Sequence, residues 1–212
     1  MAILFQPRQK LLFIGNSITD AGRSQSSPYG TGFVRDCQRW LHAGYPELNL
    51  SITNRGVSGD TTQDLLTRWE RDAIPPQPDW LFIKVGINDV WSVFEGFYRQ
   101  GIGVEDFERN YRALIEQARQ QTRAQIVVVE PFLVEKNKND NFRRVLSHYQ
   151  AKVTLIAQEH NLLLVKLQQA FDHGLKSQPA EYWAEDRVHP TPVGHALIAL
   201  QILKACGFER LP

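Results

Sequence analysis

A serine attacks an ester or amide carbonyl only when a base takes its proton and hydrogen-bond donors meet the oxyanion that develops. In this chain Ser17 ends the segment Lys10-Leu-Leu-Phe-Ile-Gly-Asn-Ser17, where the apolar run breaks at Gly15 and delivers a hydroxyl at its tip. Asp186 and His189 stand three apart in Trp183-Ala-Glu-Asp-Arg-Val-His-Pro190. In a turn or a single helical turn, that spacing lets the carboxylate accept from Nδ1 of its own histidine while Nε2 points outward as a base. The backbone N–H groups of Ser17 and Gly59 and the side-chain NH₂ of Asn88 would complete the set as three oxyanion donors. Each residue also has a plainer reading. Gly-Asn-Ser is ordinary turn or capping chemistry, Gly59 can serve a positive φ, Asn88 an Asx turn, and Asp-x-x-His a solvated pair.

These residues are far apart in the chain, so the elements between them must bring them together. Compact apolar or alternating runs at 10–14, 48–54, 79–85, 125–130 and 162–165 predict strands. Helical periodicity predicts helices over 32–45, 62–74, 105–122, 141–160 and 192–206, and Pro75-Pro76-Gln77-Pro78 must stop the second of these. In the first helix Phe33, Val34, Cys37, Trp40 and Leu41 form one stripe, which places Trp40 in the core. The segment 20–31 reads as a surface loop bordering the cleft, and 136–141 as a charged surface loop. Strands alternating with helices predict an α/β protein: one domain over 1–212, a three-layer α/β/α sandwich around a five-stranded parallel sheet in flavodoxin-like order. In a parallel sheet the turns after the first three strands leave at one edge, so Ser17, Gly59 and Asn88 converge there.

Composition narrows the function. The chain has 212 residues, 42% hydrophobic and 22% charged, with a formal net charge of +1. Such a surface has no electrostatic bias toward nucleic acid or acidic membranes. No apolar run approaches the roughly 20 residues of a membrane span, and residues 1–9 lack the layout of a signal peptide, so the expected location is the cytoplasm. Cys37 and Cys206 sit in helical apolar patterns without metal-ligand spacing and are expected as buried free thiols.

Four blocks in order, Gly15-Asn-Ser-Ile-Thr19, Gly56-Val-Ser-Gly-Asp60, Gly86-Ile-Asn-Asp89 and Asp186-Arg-Val-His189, resemble those of the SGNH, or GDSL-type, hydrolases. The resemblance spans nearly the whole chain. It implies Ser17 as nucleophile and first oxyanion donor, Gly59 and Asn88 as the other donors, His189 as base and Asp186 as its partner. It implies no cofactor or metal, and association of copies of the chain into a homo-oligomer. The wording around Gln77-Pro-Asp-Trp-Leu81, Val85-Gly-Ile-Asn-Asp-Val-Trp91 and Gly30-Thr-Gly-Phe33 resembles bacterial acetylxylan esterases, which remove acetyl groups from xylo-oligosaccharides. The substrate implied is therefore a small-molecule or oligosaccharide ester. One departure is Asn16, where the family usually has aspartate.

Other readings stay open at this point. Within the same chemistry stands a lysophospholipase or thioesterase. The broken Gly-x-Ser-x-Gly at Gly56–Asp60 counts against an α/β-hydrolase elbow with Ser58 as nucleophile. A flavin or nucleotide binder on the same fold would want a phosphate loop after the first strand, yet neither a Walker lysine nor Gly-x-Gly-x-x-Gly follows it. A metal hydrolase would want His-Glu-x-x-His, which the six histidines do not form. A carbohydrate-binding module without catalysis is the last alternative. Trp91 and Trp183, each three residues from a candidate site residue, suit either a sugar-stacking rim or the core.

Overall fold

The computed structural model describes residues 2–25, 27–94 and 101–209. Its elements in chain order are β1 (Lys10–Gly15), the one-turn helix α1 (Ser17–Asp20), α2 (Phe33–Gly44), β2 (Ser51–Gly56), α3 (Thr62–Asp72), β3 (Trp80–Lys84), α4 (Ile87–Phe94), α5 (Val104–Gln121), β4 (Gln125–Val129), α6 (Asn141–Glu159), β5 (Leu163–Val165), α7 (Leu167–Gly174), α8 (Ala180–Trp183) and α9 (Pro192–Ala205). The five strands pair in parallel in the order β2-β1-β3-β4-β5, the flavodoxin-like arrangement expected. Leu11 to Ile14 and Leu81 to Ile83 are almost wholly buried, because a strand covered on both faces has no solvent side and reads as a continuous apolar run.

Crossover handedness decides which helix covers which face. The chain steps from β1 outward to β2, then back across β1 to β3 and onward to β4 and β5. Right-handed connections in opposite directions lie on opposite faces. Accordingly α2 packs beside α9 on one face, while α3, α5 and α6 lie side by side on the other. The reversal between β1 and β3 opens a crevice at the carboxyl ends of the strands, directly above Ser17.

Three sequence expectations shift. Trp40 is 51% exposed, not core: the buried arc of α2 is made by Phe33, Val34, Cys37 and Leu41, and Trp40 lies just outside it. The second strand begins at Ser51, because Pro46–Leu48 forms a 3₁₀ turn that ends with Asn49 in the left-handed region. The polar turns after β1 and β3 continue straight into helices α1 and α4. Cys37 and Cys206 are buried free thiols, as expected. Among the described residues no helix is long and apolar enough to cross a membrane.

The sheet edge that carries Ser17 is assembled by close backbone approach. A Cβ on Gly56, the last residue of β2, would lie 2.1 Å from the backbone nitrogen of Asp20 at the end of α1. Backbone cannot yield as a side-chain tip can. Gly56→Ala is expected to destabilise the protein by about 3 kcal/mol, measured as a lowered midpoint at unchanged slope in urea unfolding.

Candidate active site

Ser17 is the first residue of α1, and Asn16 caps it. The Asn16 side-chain Oδ1 accepts from the N–H of Ile18 at 3.2 Å, and its backbone carbonyl accepts from Thr19 and Asp20. Asparagine therefore does here the accepting that an aspartate would do, and the two rank alike as caps. The difference is its fully buried Nδ2, which has no partner. First-turn N–H groups have no acceptor within their own helix, so α1 presents the Ser17 N–H as a donor at the sheet edge.

The Ser17 hydroxyl lies 3.1 Å from His189 Nε2, across 172 residues of chain. His189 Nδ1 donates to Asp186 Oδ2 at 2.6 Å, and Asp186 Oδ1 accepts the backbone N–H groups of Val188 and His189. With Nδ1 carrying the proton, Nε2 holds the lone pair that faces the serine. Burial by itself would raise the Asp186 carboxyl. The N–H and ring of His189, with the N–H of Val188, outweigh it and hold the group below the usual carboxylate range.

A closed loop positions this pair. Ala184 and Pro190 form an antiparallel bridge, the N–H of Glu185 donates to His189 O, and that of Thr191 to Trp183 O. At its apex Arg187 takes a left-handed φ of 73°, a conformation that a non-glycine residue keeps only under constraint. The constraint is visible: the guanidinium pairs with Glu135 and Asp140, and the Arg187 carbonyl accepts from the N–H of Val134.

Opposite the histidine, the chain from Val57 to Asp60 makes a turn closed by the Asp60 N–H on Val57 O. Gly59 occupies its third position with φ 85°, and Ser58 before it does not have a positive φ, so the turn is type II, which requires glycine there. Asn88, in the first turn of α4, donates from Nδ2 to Asp60 O at 3.0 Å. Arg68 lies beneath. Its Nε meets Asp60 Oδ2 at 2.6 Å, a second nitrogen donates to Gly15 O at 3.1 Å, and the third reaches Asp72. Asp89 accepts from the N–H and hydroxyl of Thr62, tying the start of α3 to the start of α4.

The sequence-derived candidates thus fall on one edge: Ser17, Asp186 and His189 in a continuous hydrogen-bonded row, with Gly59 and Asn88 on turns linked through Asp60. Ser58 is apart from this row, with its exposed hydroxyl on Asp20. Of the two tryptophans, only Trp91 reaches the site, its ring centroid 5.4 Å from that of His189. Trp183 turns toward α7, where Gly174 leaves room for its ring and Phe171 meets it edge-on. A cleft of about 290 Å³ opens beside Ser17 and His189, bordered by Thr31, Glu185, Pro192 and His195.

Residues 13–197 match the model of the GDSL-like lipase/acylhydrolase family. The chain belongs to that family. An acetylxylan esterase of Geobacillus stearothermophilus is 39% identical over 209 residues, covering 95% of either chain. The crystal structure of Axe2, an acetylxylan esterase of the same organism, superposes with a TM-score of 0.93 at 38% identity over 98% of both chains. LAE5, an alpha/beta hydrolase enzyme from the metagenome of Lake Arreo, Spain, reaches 0.93 at 32% identity over 98% of this chain and 99% of its own. Axe2 has also been solved as catalytic mutants in which a serine, an aspartate or a histidine is changed to alanine. Its aspartate and histidine have the same spacing as Asp186 and His189. As a member of this family, the chain is a carboxylic ester hydrolase, an acyl esterase.

Within this GDSL-like site, Arg68, Asp60, Asp89 and His195 escaped sequence reasoning. Arg68 and His195 are single polar residues within otherwise helical patterns, and only the fold shows what they touch. Asp89 carries a further consequence. Burial, outweighing the Thr62 hydrogen bonds, pushes its carboxyl up to about 6 from 3.8. Between these values the folded protein holds more protons than the unfolded chain, so stability falls as pH rises through the window. Asp89→Asn keeps an acceptor for Thr62 and is expected to flatten that fall, which is about 3 kcal/mol for a shift of this size. Urea unfolding at pH 4.0, 5.0, 6.0 and 7.0, values spanning roughly the titration range of such a carboxyl, would check it.

Proposed function

We propose that this chain is a serine esterase that removes acetyl groups from carbohydrate esters, acetylated xylo-oligosaccharides foremost, through a Ser17–His189–Asp186 triad and an acyl-enzyme. The observation that carries this reading is the unbroken row from the Ser17 hydroxyl through His189 to Asp186. His189 Nε2 takes the hydroxyl proton as Ser17 Oγ bonds to the acetyl carbon, and the carbonyl oxygen becomes an oxyanion held by the N–H groups of Ser17 and Gly59 and the NH₂ of Asn88. Collapse breaks the bond to the sugar oxygen, which leaves with the proton from His189. Water then gives His189 a proton, attacks the acetyl-serine, and releases acetate and the free hydroxyl.

The substrate reading is supported by the identity to acetylxylan esterase and by a cleft small enough for a short acyl group and edged with polar side chains. The location proposed is the cytoplasm, in keeping with two cysteines buried as free thiols.

Ser17→Ala is expected to abolish release of acetate from acetylated xylo-oligosaccharides while the unfolding midpoint stays near that of the parent; retained turnover would refute the serine mechanism. A p-nitrophenyl ester series should show kcat/KM falling from acetate to longer acyl chains, whereas a rise with chain length would indicate a lysophospholipase-type or thioesterase-type acyl group. Asn88→Ala should lower kcat by about 10²- to 10³-fold, the loss typical of one oxyanion donor, with little change in KM.

A further inference from the structure

Two imidazoles border the cleft, and only one belongs to the triad. His195 stands on the second turn of α9, its ring laid over Gly32 so closely that a Cβ there would come within 2.6 Å of it. The N–H of Phe33, the first residue of α2, donates to His195 Nδ1 at 3.2 Å. An Nδ1 that accepts leaves the ring proton on Nε2. Burial, with the nearby Lys84 and His189, pushes the His195 pKa down to about 4, so the ring stays neutral and keeps this tautomer at neutral pH. The positive end of α2 acts in the same sense.

The two rings are therefore opposite in kind. His189 turns a lone pair toward Ser17, because its proton sits on Nδ1 and is donated to Asp186. His195 has an N–H to give, because Phe33 occupies its Nδ1. His195 Nε2 meets no acceptor among the described residues, yet it is not among the sealed, unpartnered polar atoms of the interior, and its side chain borders the cleft shared with Ser17 and His189. A donor that is neutral, of fixed tautomer and open to the cleft suits an uncharged oxygen acceptor on the substrate. The donors proposed for the acyl oxygen, at Gly59 and Asn88, do not line this cleft, so the alcohol portion is the part left for His195.

We propose that His195 Nε2–H is a specificity-determining donor that binds a hydroxyl oxygen next to the scissile ester on the alcohol, so that the enzyme favours esters of vicinal diols such as sugar rings. This rests on Ser17 being the nucleophile.

The test uses the full chain and two esters that differ by one hydroxyl, trans-2-hydroxycyclohexyl acetate and cyclohexyl acetate, with p-nitrophenyl acetate alongside. The parent protein should prefer the hydroxylated ester by roughly 3- to 10-fold in kcat/KM, the size of one neutral hydrogen bond, with the difference in KM. His195→Asn keeps an acceptor near the Nδ1 position for Phe33 but is too short to donate into the cleft, and should bring the ratio to about one. His195→Gln places an NH₂ near the Nε2 position and should restore the preference. A parent ratio near one, or an Asn variant that slows both esters in proportion, would overturn the proposal, the latter marking a purely structural histidine. Cleavage of p-nitrophenyl acetate but of neither cyclohexyl ester would overturn this assignment of the alcohol and leave the serine mechanism standing. Inactivity toward all three would remove both.

Discussion

The geometry of this site depends on the buried contact between Asp60 and Arg68. The two side chains are less than a tenth exposed, and together with the Asp60 backbone carbonyl they link the turns that follow β1, β2 and β3. Arg68 holds the carbonyl of Gly15 at the end of β1 and the carboxylate of Asp60 beyond β2, and the Asp60 carbonyl in turn orients Asn88 beyond β3. A charge pair taken out of water is retained at a cost unless its remaining donors are also satisfied. Here the other guanidinium nitrogens meet Gly15 O and Asp72, so the pair holds three turns in a fixed mutual position. The oxyanion donors proposed on these turns would need such a rigid base to converge on one oxygen.

His189 reaches the serine from a different part of the molecule. α9 lies against α2, and the loop ahead of α9 is braced through Arg187 to the segment after β4. Asn54 adds a second brace under the turn that carries Ser17. Its NH₂ donates to the carbonyls of Thr19 and Tyr29, and its Oδ1 accepts from Gly56. The serine turn is thereby held from below by β2, while the imidazole is held from above by a loop that spends backbone strain at Arg187 to place its two side chains. Neither Asn54 nor Arg187 borders the cleft beside Ser17.

Much of this was legible in the sequence where the signal is local. Apolar runs covered on both faces gave five strands, and helical stripes gave the long helices, because burial period and length are properties of a short window. Of the candidate site residues, Ser17, Gly59 and Asn88 were legible as turn chemistry repeated after the first three strands, and Asp186 with His189 as an Asp-x-x-His pair ahead of a helix. Helices α1, α4, α7 and α8 were not, being too short to show a period or, in α4, carrying the polar Asn88 and Asp89 that resemble a turn. Trp40 was misplaced because it falls at the edge of a stripe, where a small rotation decides between core and solvent. Arg68, Asn54 and His195 were silent for a different reason. Each acts on backbone groups brought near by the fold, Gly15 O, Thr19 O and the Phe33 N–H, and one sequence carries no mark of such long-range partners.

The separation of 172 residues between Ser17 and His189 also bears on how the protein comes into being. A chain emerging from the ribosome presents Ser17 long before His189, so the partly made protein carries the serine hydroxyl without the imidazole that meets it in the folded state. Contacts this distant in sequence form late, after the cost of closing a very long loop has been met. On the proposed mechanism, hydrolytic capacity therefore waits for the segment that carries Asp186 and His189, and turnover appearing during refolding reports the meeting of that segment with the serine turn rather than collapse of the core.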